Sequence, residues 1–134
     1  MSLTRRLPAY GEKFTQQLLE AVRKHDGLIL VAEHDNRPIG FIAGIIYERT
    51  KEELLEATPA RSGRVLELFV IQEYRDHKIG MALMERMEDY FRRKKCNVCR
   101  VEVFNPNKMA YRFYQALGYQ NRMIDLIKVL REND

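Results

Sequence analysis

No apolar run in this 134-residue chain approaches the roughly 20 residues that a membrane-spanning helix needs. The N-terminus, Met1-Ser2-Leu3-Thr4-Arg5-Arg6, carries basic residues but neither an apolar core behind them nor a small-residue cleavage site. A secretory signal is therefore not expected, no membrane association is expected, and the cytoplasm is the expected compartment. Cysteine is scarce: Cys96 and Cys99 form a lone CxxC. Zinc would need a second ligand pair, and His25, His34 and His77 are scattered at no ligand spacing. A redox dithiol belongs at a helix N-terminus, whereas this pair falls between a helix end and a strand start. Cys99 alternates with Val101 and Val103 as a core residue would, so neither a metal nor a redox role is expected. Repeats and low-complexity segments are absent, and so is a strong excess of one charge. The 23 basic and 19 acidic residues leave +4, which suits a phosphorylated small molecule better than nucleic acid. The one dense basic run, Arg92-Arg93-Lys94-Lys95, closes a helix, where the dipole favours cations in any case.

What remains is an ordinary globular composition, 46% hydrophobic and 31% charged, in a length that suits one domain over 1–134 with a core of its own. Phe14, Leu18, Ala21 and Val22 recur at helical spacing, predicting a helix from about Tyr10 to Lys24. Leu28–Ala32 reads as a buried strand, His34–Pro38 as a hairpin turn, and Ile39–Tyr47 as the returning strand. Gly40 and Gly44 on that strand imply close approach of a helix or a ligand. Thr50 followed by Glu53 is a capping-box pattern for a short helix. Arg64–Val70 is a third strand, Gly80–Lys95 a helix with Leu83, Met84, Met87, Tyr90 and Phe91 inward, and Val98–Phe104 an alternating strand. Asn107–Leu117 is a helix stopped by Gly118, and Met123–Leu130 closes the chain as a strand. The order, αββ(α)βαβαβ, gives class α+β with a mixed sheet and helices on its faces.

Two segments carry chemistry. In the first, Val70-Ile71-Gln72-Glu73-Tyr74-Arg75-Asp76-His77-Lys78-Ile79-Gly80-Met81, a strand end passes through a short polar loop into a helix. Free N–H groups and the positive end of a helix dipole then meet in front of a strand, a setting that binds phosphate-like anions. A small residue, Gly80, stands at the helix start. Just upstream, Glu67 alternates with Val65 and Phe69, so a carboxylate shares a face with apolar side chains. Burial there would raise its pKa; the other reading is an edge charge that faces solvent or pairs with Arg64 or Arg100. In the second segment Asn107 is a natural N-cap, Ala110 lies one turn on, and Tyr114 sits on the apolar stripe with Phe113 and Leu117, where an aromatic is usually core.

Together, Arg75-Asp76-His77-Lys78-Ile79-Gly80 and Asn107…Ala110…Phe113-Tyr114…Gly118-Tyr119 resemble the acetyl-CoA site of the GNAT superfamily of N-acetyltransferases. The likeness runs from about Leu28 to the end. It departs before Leu28, where the family's strand and two helices exceed the residues available, so a shortened N-terminal region is expected. It departs again at Lys78, where the family's Arg/Gln-x-x-Gly-x-Gly/Ala loop has glycine. A lysine forced to φ > 0 costs on the order of 1–2 kcal/mol, which a cation beside a pyrophosphate could offset. Lys78→Gly is accordingly expected to leave cofactor affinity unchanged or to improve it.

The resemblance implies a GNAT-like, mostly antiparallel sheet flanked by helices and an N-acetyltransferase using acetyl-CoA as co-substrate with no metal. By it, the main chain of Leu68, Phe69 and Val70 pairs with the pantetheine arm, and Arg75, Asp76, His77, Lys78, Ile79, Gly80 and Met81 hold the pyrophosphate. Asn107 and Ala110 adjoin the pantetheine. Tyr114 protonates the leaving thiolate, a role suited to a phenol that stays protonated at neutral pH. Glu67 is the candidate base toward a primary-amine acceptor, and the Val70 N–H meets the oxyanion. The expected partners are acetyl-CoA and an amine, with no nucleic acid, and with a homodimer open. The alternative is a GNAT-like module that binds acyl-CoA without chemistry.

Overall fold

The computed structural model describes residues 8–48, 61–104 and 106–131. The predicted capping-box helix at Thr50–Ala57 lies outside these residues. Helix α1 (Pro8–Lys24) opens the described chain. Two residues past its end, Asp26 takes a left-handed φ of 49°, which lets the Gly27 N–H donate back to the Val22 carbonyl at 2.8 Å. Strands β1 (Leu28–His34) and β2 (Arg37–Glu48) form a hairpin across a two-residue turn. Asp35 and Asn36 both take positive φ, 51° and 64°, the combination a tight I′ turn requires and that these residue types tolerate.

Strand β3 (Arg61–Val70) pairs antiparallel with β2, and β4 (Val98–Val101) pairs parallel with β3, in the order β1-β2-β3-β4. The sheet is thus mixed and mostly antiparallel, as expected. Between β3 and β4 lie a short 3₁₀ turn (Gln72–Tyr74) and helix α2 (Ile79–Arg93). Leu83, Met84, Met87 and Phe91 repeat at three- and four-residue spacing and bury one face of α2 against β1, β2 and β3. They meet Ile39, Ile42, Ala43, Ile46 and Val65 in the core, each large side chain contributing about 1.5–3 kcal/mol by leaving water. Tyr90 is only half-buried and donates its hydroxyl to the Asp26 carbonyl at 2.7 Å, tying α2 to the end of α1.

The glycines show how closely α2 is seated. A Cβ on Gly44 would stand 2.8 Å from Phe91 and 2.9 Å from the Met87 sulfur, and one on Gly63 would stand 2.2 Å from the Phe91 ring. The close approach at Gly44 is therefore a helix. At Gly40 it is the neighbouring backbone, the Phe69 carbonyl at 2.7 Å. Two cations of the basic run at the end of α2 are paired locally: Arg92 with Asp89 at 2.8 Å and Lys94 with Asp26 at 3.1 Å. Both cysteines are half-buried, so Cys99 is not a fully buried core residue.

Two strand expectations need correction. β4 stops at Val101, not Phe104, because its ladder ends where Val101 meets Val65. The next residue of β3, Leu66, is a bulge: Ala43 faces Glu67 and Gly44 faces Val65. A bulge increases local twist and turns β3 aside, leaving β4 nothing to follow. Residues 119–130 form neither helix nor strand. Met123, Ile124, Leu126, Ile127, Val129 and Leu130 are 65–88% exposed. An apolar run signals a demand for burial, but a strand also needs a partner edge, which the run does not specify. No helix among the described residues is long and apolar enough to cross a membrane.

The chain clusters into two compact units that divide between Glu102 and Val103. The second contains helix α3 (Lys108–Ala116), ended at Gly118 with φ 97°.

Candidate functional site

In the first unit the expected residues converge on the end of β3 and the start of α2. Leu68, Phe69 and Val70 pair with Ile42, Phe41 and Gly40 along one edge of β3. On the other edge β4 covers only Ser62–Val65, so Leu66 to Val70 have no strand partner there among the described residues. The Leu66 bulge marks the parting point. An open strand edge of this length is a template for an extended amide-bearing ligand. Nothing in the sequence announces the bulge, and periodicity alone would run the β3–β4 ladder straight through it.

Beyond Val70 the 3₁₀ turn leads to Arg75, whose Nε donates to the Val70 carbonyl at 2.9 Å while its guanidinium lies 5.6 Å from the centre of the Phe69 ring. Arg75 thus closes the loop onto its own strand. Asp76 and Lys78 both adopt left-handed backbone, φ 70° and 63°. The condition under which Lys78 carries a backbone cost, a positive φ, is therefore met. Helix α2 begins at Ile79, one residue before Gly80, with Lys78 as N-cap and no side-chain cap hydrogen bond. The first turn, including Gly80 and Met81, holds no acidic residue. The uncapped N–H groups therefore face outward with the helix dipole behind them, the chemistry of an anion site. His77 is exposed, its ring 6.1 Å from that of Tyr74.

Glu67 is half-buried on the bulged stretch of β3, which breaks its simple alternation with Val65. Burial pushes its carboxyl above the ordinary value of 4.5, an effect partly offset by the Leu68 N–H. Arg64, one of its expected partners, pairs instead with Glu102.

In the second unit Asn107 caps α3, its Oδ1 accepting from the Ala110 N–H at 3.0 Å. Ala110 is half-buried. Tyr114 is buried at 9% exposure, and the rings of Phe113 and Tyr119 meet it edge-on at 5.1 and 5.7 Å. These contacts fix the phenol on the apolar stripe.

A cavity of about 410 Å³ opens elsewhere, at the far end of the β2–β3 pair, lined by Lys24, His25, Asp26, Ile46, Tyr47, Glu48 and Arg61. Its charges are largely paired: Arg61 with Glu48, Asp26 with Lys94. Burial also pushes the nearby Cys96 thiol up, partly countered by Arg61. A raised thiol is a poor nucleophile, so this hollow lacks the attributes of the loop site.

The profile of the acetyltransferase (GNAT) family matches residues 2–119. An uncharacterized N-acetyltransferase of Methanocaldococcus jannaschii is 34% identical over 95 residues, covering 70% of this chain and 53% of its own length. One from Archaeoglobus fulgidus is 35% identical over 97 residues, covering 69% of this chain and 58% of its own. The chain therefore spans little more than half the length of these relatives. Among solved structures, the aminoglycoside 6'-N-acetyltransferase AAC(6')-IG of Acinetobacter haemolyticus superposes with a TM-score of 0.73 at 17% identity, over 97% of this chain and 85% of its own. AAC(6')-Iy, in complex with a bisubstrate analogue of CoA, gives 0.72 at 17% over 95% and 82%. At such identity these two are similar in fold alone.

Proposed function

The chain belongs to the acetyltransferase (GNAT) family, and from that premise we propose that it transfers an acetyl group from acetyl-CoA to a primary amine within one catalytic domain. The observation that carries this reading is the open edge of β3 beyond the Leu66 bulge, ending at the uncapped start of α2. A pantetheine arm has amides for the first and a diphosphate for the second. Leu68 to Val70 offer main-chain partners, and the amides from Arg75 to Met81 offer the anion grip. Asn107 and Ala110 occupy the family positions that adjoin the pantetheine.

The chemistry follows from the residues. An amine must be unprotonated to attack, and Glu67, with its raised pKa, is suited to take the proton directly or through water. The nitrogen lone pair forms the new C–N bond at the thioester carbonyl. The oxyanion is met by the Val70 N–H. As the C–S bond breaks, the thiolate takes a proton, a role that the family resemblance alone gives to the Tyr114 hydroxyl.

Calorimetric titration with CoA, followed by amine-dependent release of CoA from acetyl-CoA, tests the proposal. Binding with release supports it, and absence of heat overturns it. Lys78 at a family glycine position favours a second reading, an acyl-CoA-binding module without chemistry. Binding with no release across a panel of primary amines would establish that reading instead.

A further inference from the structure

The loop from Arg75 to Lys78 is strained by its own residues. Two non-glycine residues in three positions sit at positive φ, and such conformations persist only where the surroundings over-determine them. Its internal ties stop early: the Tyr74 N–H donates to Ile71 at 3.0 Å and the Arg75 N–H to Gln72 at 3.2 Å. Lys78, which follows, caps α2 with its backbone only.

Arg75 ties the loop's first residue to its own strand through the Val70 carbonyl at 2.9 Å, and a second restraint comes from the tip of the β1–β2 hairpin. Tyr74 Oη and His34 Nδ1 share a hydrogen bond of 2.8 Å, with the rings edge-on at 5.5 Å. Beside it, Arg37 Nη2 reaches Glu73 Oε2 at 3.4 Å. His34 and Arg37 are opposite partners in the ladder, so both ties leave from one rung of a hairpin fixed by its two-residue turn. They grip consecutive residues of the 3₁₀ turn, and Tyr74 passes the contact on to the His77 ring inside the loop. Below them the Ile71 N–H donates to the Ile39 carbonyl at 2.8 Å, carrying the join down to the core strand.

We propose that His34 and Tyr74, seconded by Arg37 and Glu73, are positioning residues: the hairpin tip holds the amides of Arg75 to Gly80 in their anion-gripping shape before CoA arrives. This rests on reading that loop as the diphosphate site. Preorganisation of this kind raises affinity by removing an ordering cost from the binding step, and it leaves the chemical step untouched. Both ties are exposed; the ring pair dominates because its hydrogen bond is short, at 2.8 Å, and is backed by ring contact, whereas an exposed ion pair at 3.4 Å contributes little.

Hydrogen exchange of the ligand-free protein reads the brace without reference to CoA. In His34→Ala and Tyr74→Phe, amides 75–80 are expected to exchange about three- to tenfold faster, while those of Leu83 to Phe91 stay at wild-type rates. Kd for CoA and KM for acetyl-CoA should rise by a similar factor, about three- to tenfold, at unchanged kcat. The double variant should be no worse than the worse single, since both remove one contact. His34→Asn, whose side-chain oxygen can take the place of Nδ1, should restore most of the loss. Unchanged exchange at 75–80, or additive effects in the double variant, would overturn the brace. Wild-type protein that binds no CoA would instead overturn the assignment of the loop, with the exchange result standing on its own.

Discussion

Replacing Lys78 by glycine separates two effects that the sequence alone leaves entangled. Lys78 holds φ 63°, ψ 18° as N-cap of α2, a backbone that penalises a Cβ by roughly 1–2 kcal/mol. Glycine removes that penalty and is itself a favoured N-cap. Against this, glycine loosens the unfolded chain by about 0.4–1 kcal/mol. The balance is a gain of about 0.5–1 kcal/mol in stability, which for a domain of this size raises Tm by about 2–4 °C. The left-handed backbone is already present in the free protein, so its relief should appear in Tm and not in the Kd for CoA. Affinity should stay unchanged to within about fivefold, the most that an exposed ammonium contributes. Lys78→Ala is the control: it removes the charge and keeps the Cβ, so it should share the affinity change without the gain in Tm. Thermal unfolding and calorimetric titration on the three proteins decide the matter. A fall in Tm for Lys78→Gly would refute the strain argument, and a loss of affinity beyond about tenfold would show that the cation itself holds the diphosphate.

Four other substitutions probe the remaining parts. Tyr114→Phe should lower turnover by about 10²-fold with little change in CoA affinity; full retained activity would remove the phenol from the mechanism. Because the Glu67 carboxyl is raised by burial, kcat/KM should climb with pH through a value above 4.5, and Glu67→Gln should lower the rate and flatten that limb. The same shift has a stability consequence: ionising Glu67 as pH rises past 4.5 weakens the fold, so Glu67→Gln should gain stability at pH 7 relative to pH 4 in denaturant titrations. Gly63→Ala would drive a methyl into the Phe91 ring, itself only 2% exposed, and should destabilise by about 1–3 kcal/mol in urea unfolding; a neutral result would mean α2 is loosely seated. Asn107→Ala removes the cap on Ala110 and should cost about 1 kcal/mol of stability.

Much of the fold follows from local rules, and those parts were legible. Spacing of Leu83, Met84, Met87 and Phe91 dictates the buried face of α2, Asp35-Asn36 dictates the hairpin turn, and Asn107 with Gly118 brackets α3, because propensity, turn chemistry and capping are properties of neighbours in the chain. The strand–loop–helix layout from Val70 to Met81 is readable for the same reason, and the structure meets the condition of a positive φ at Lys78. What the tertiary structure decided are matters of long-range pairing. The bulge at Leu66 ends the β3–β4 ladder at Val65 and opens the edge proposed for the pantetheine, yet it depends on how Ala43 and Gly44 meet β3. Phe91 over Gly63, and His34 with Tyr74 forty positions apart, likewise join residues that the chain order keeps distant. The run from Met123 to Leu130 shows the same limit from the other side: its composition suits a strand, but a strand is made by the edge it meets, and that edge is written elsewhere in the chain.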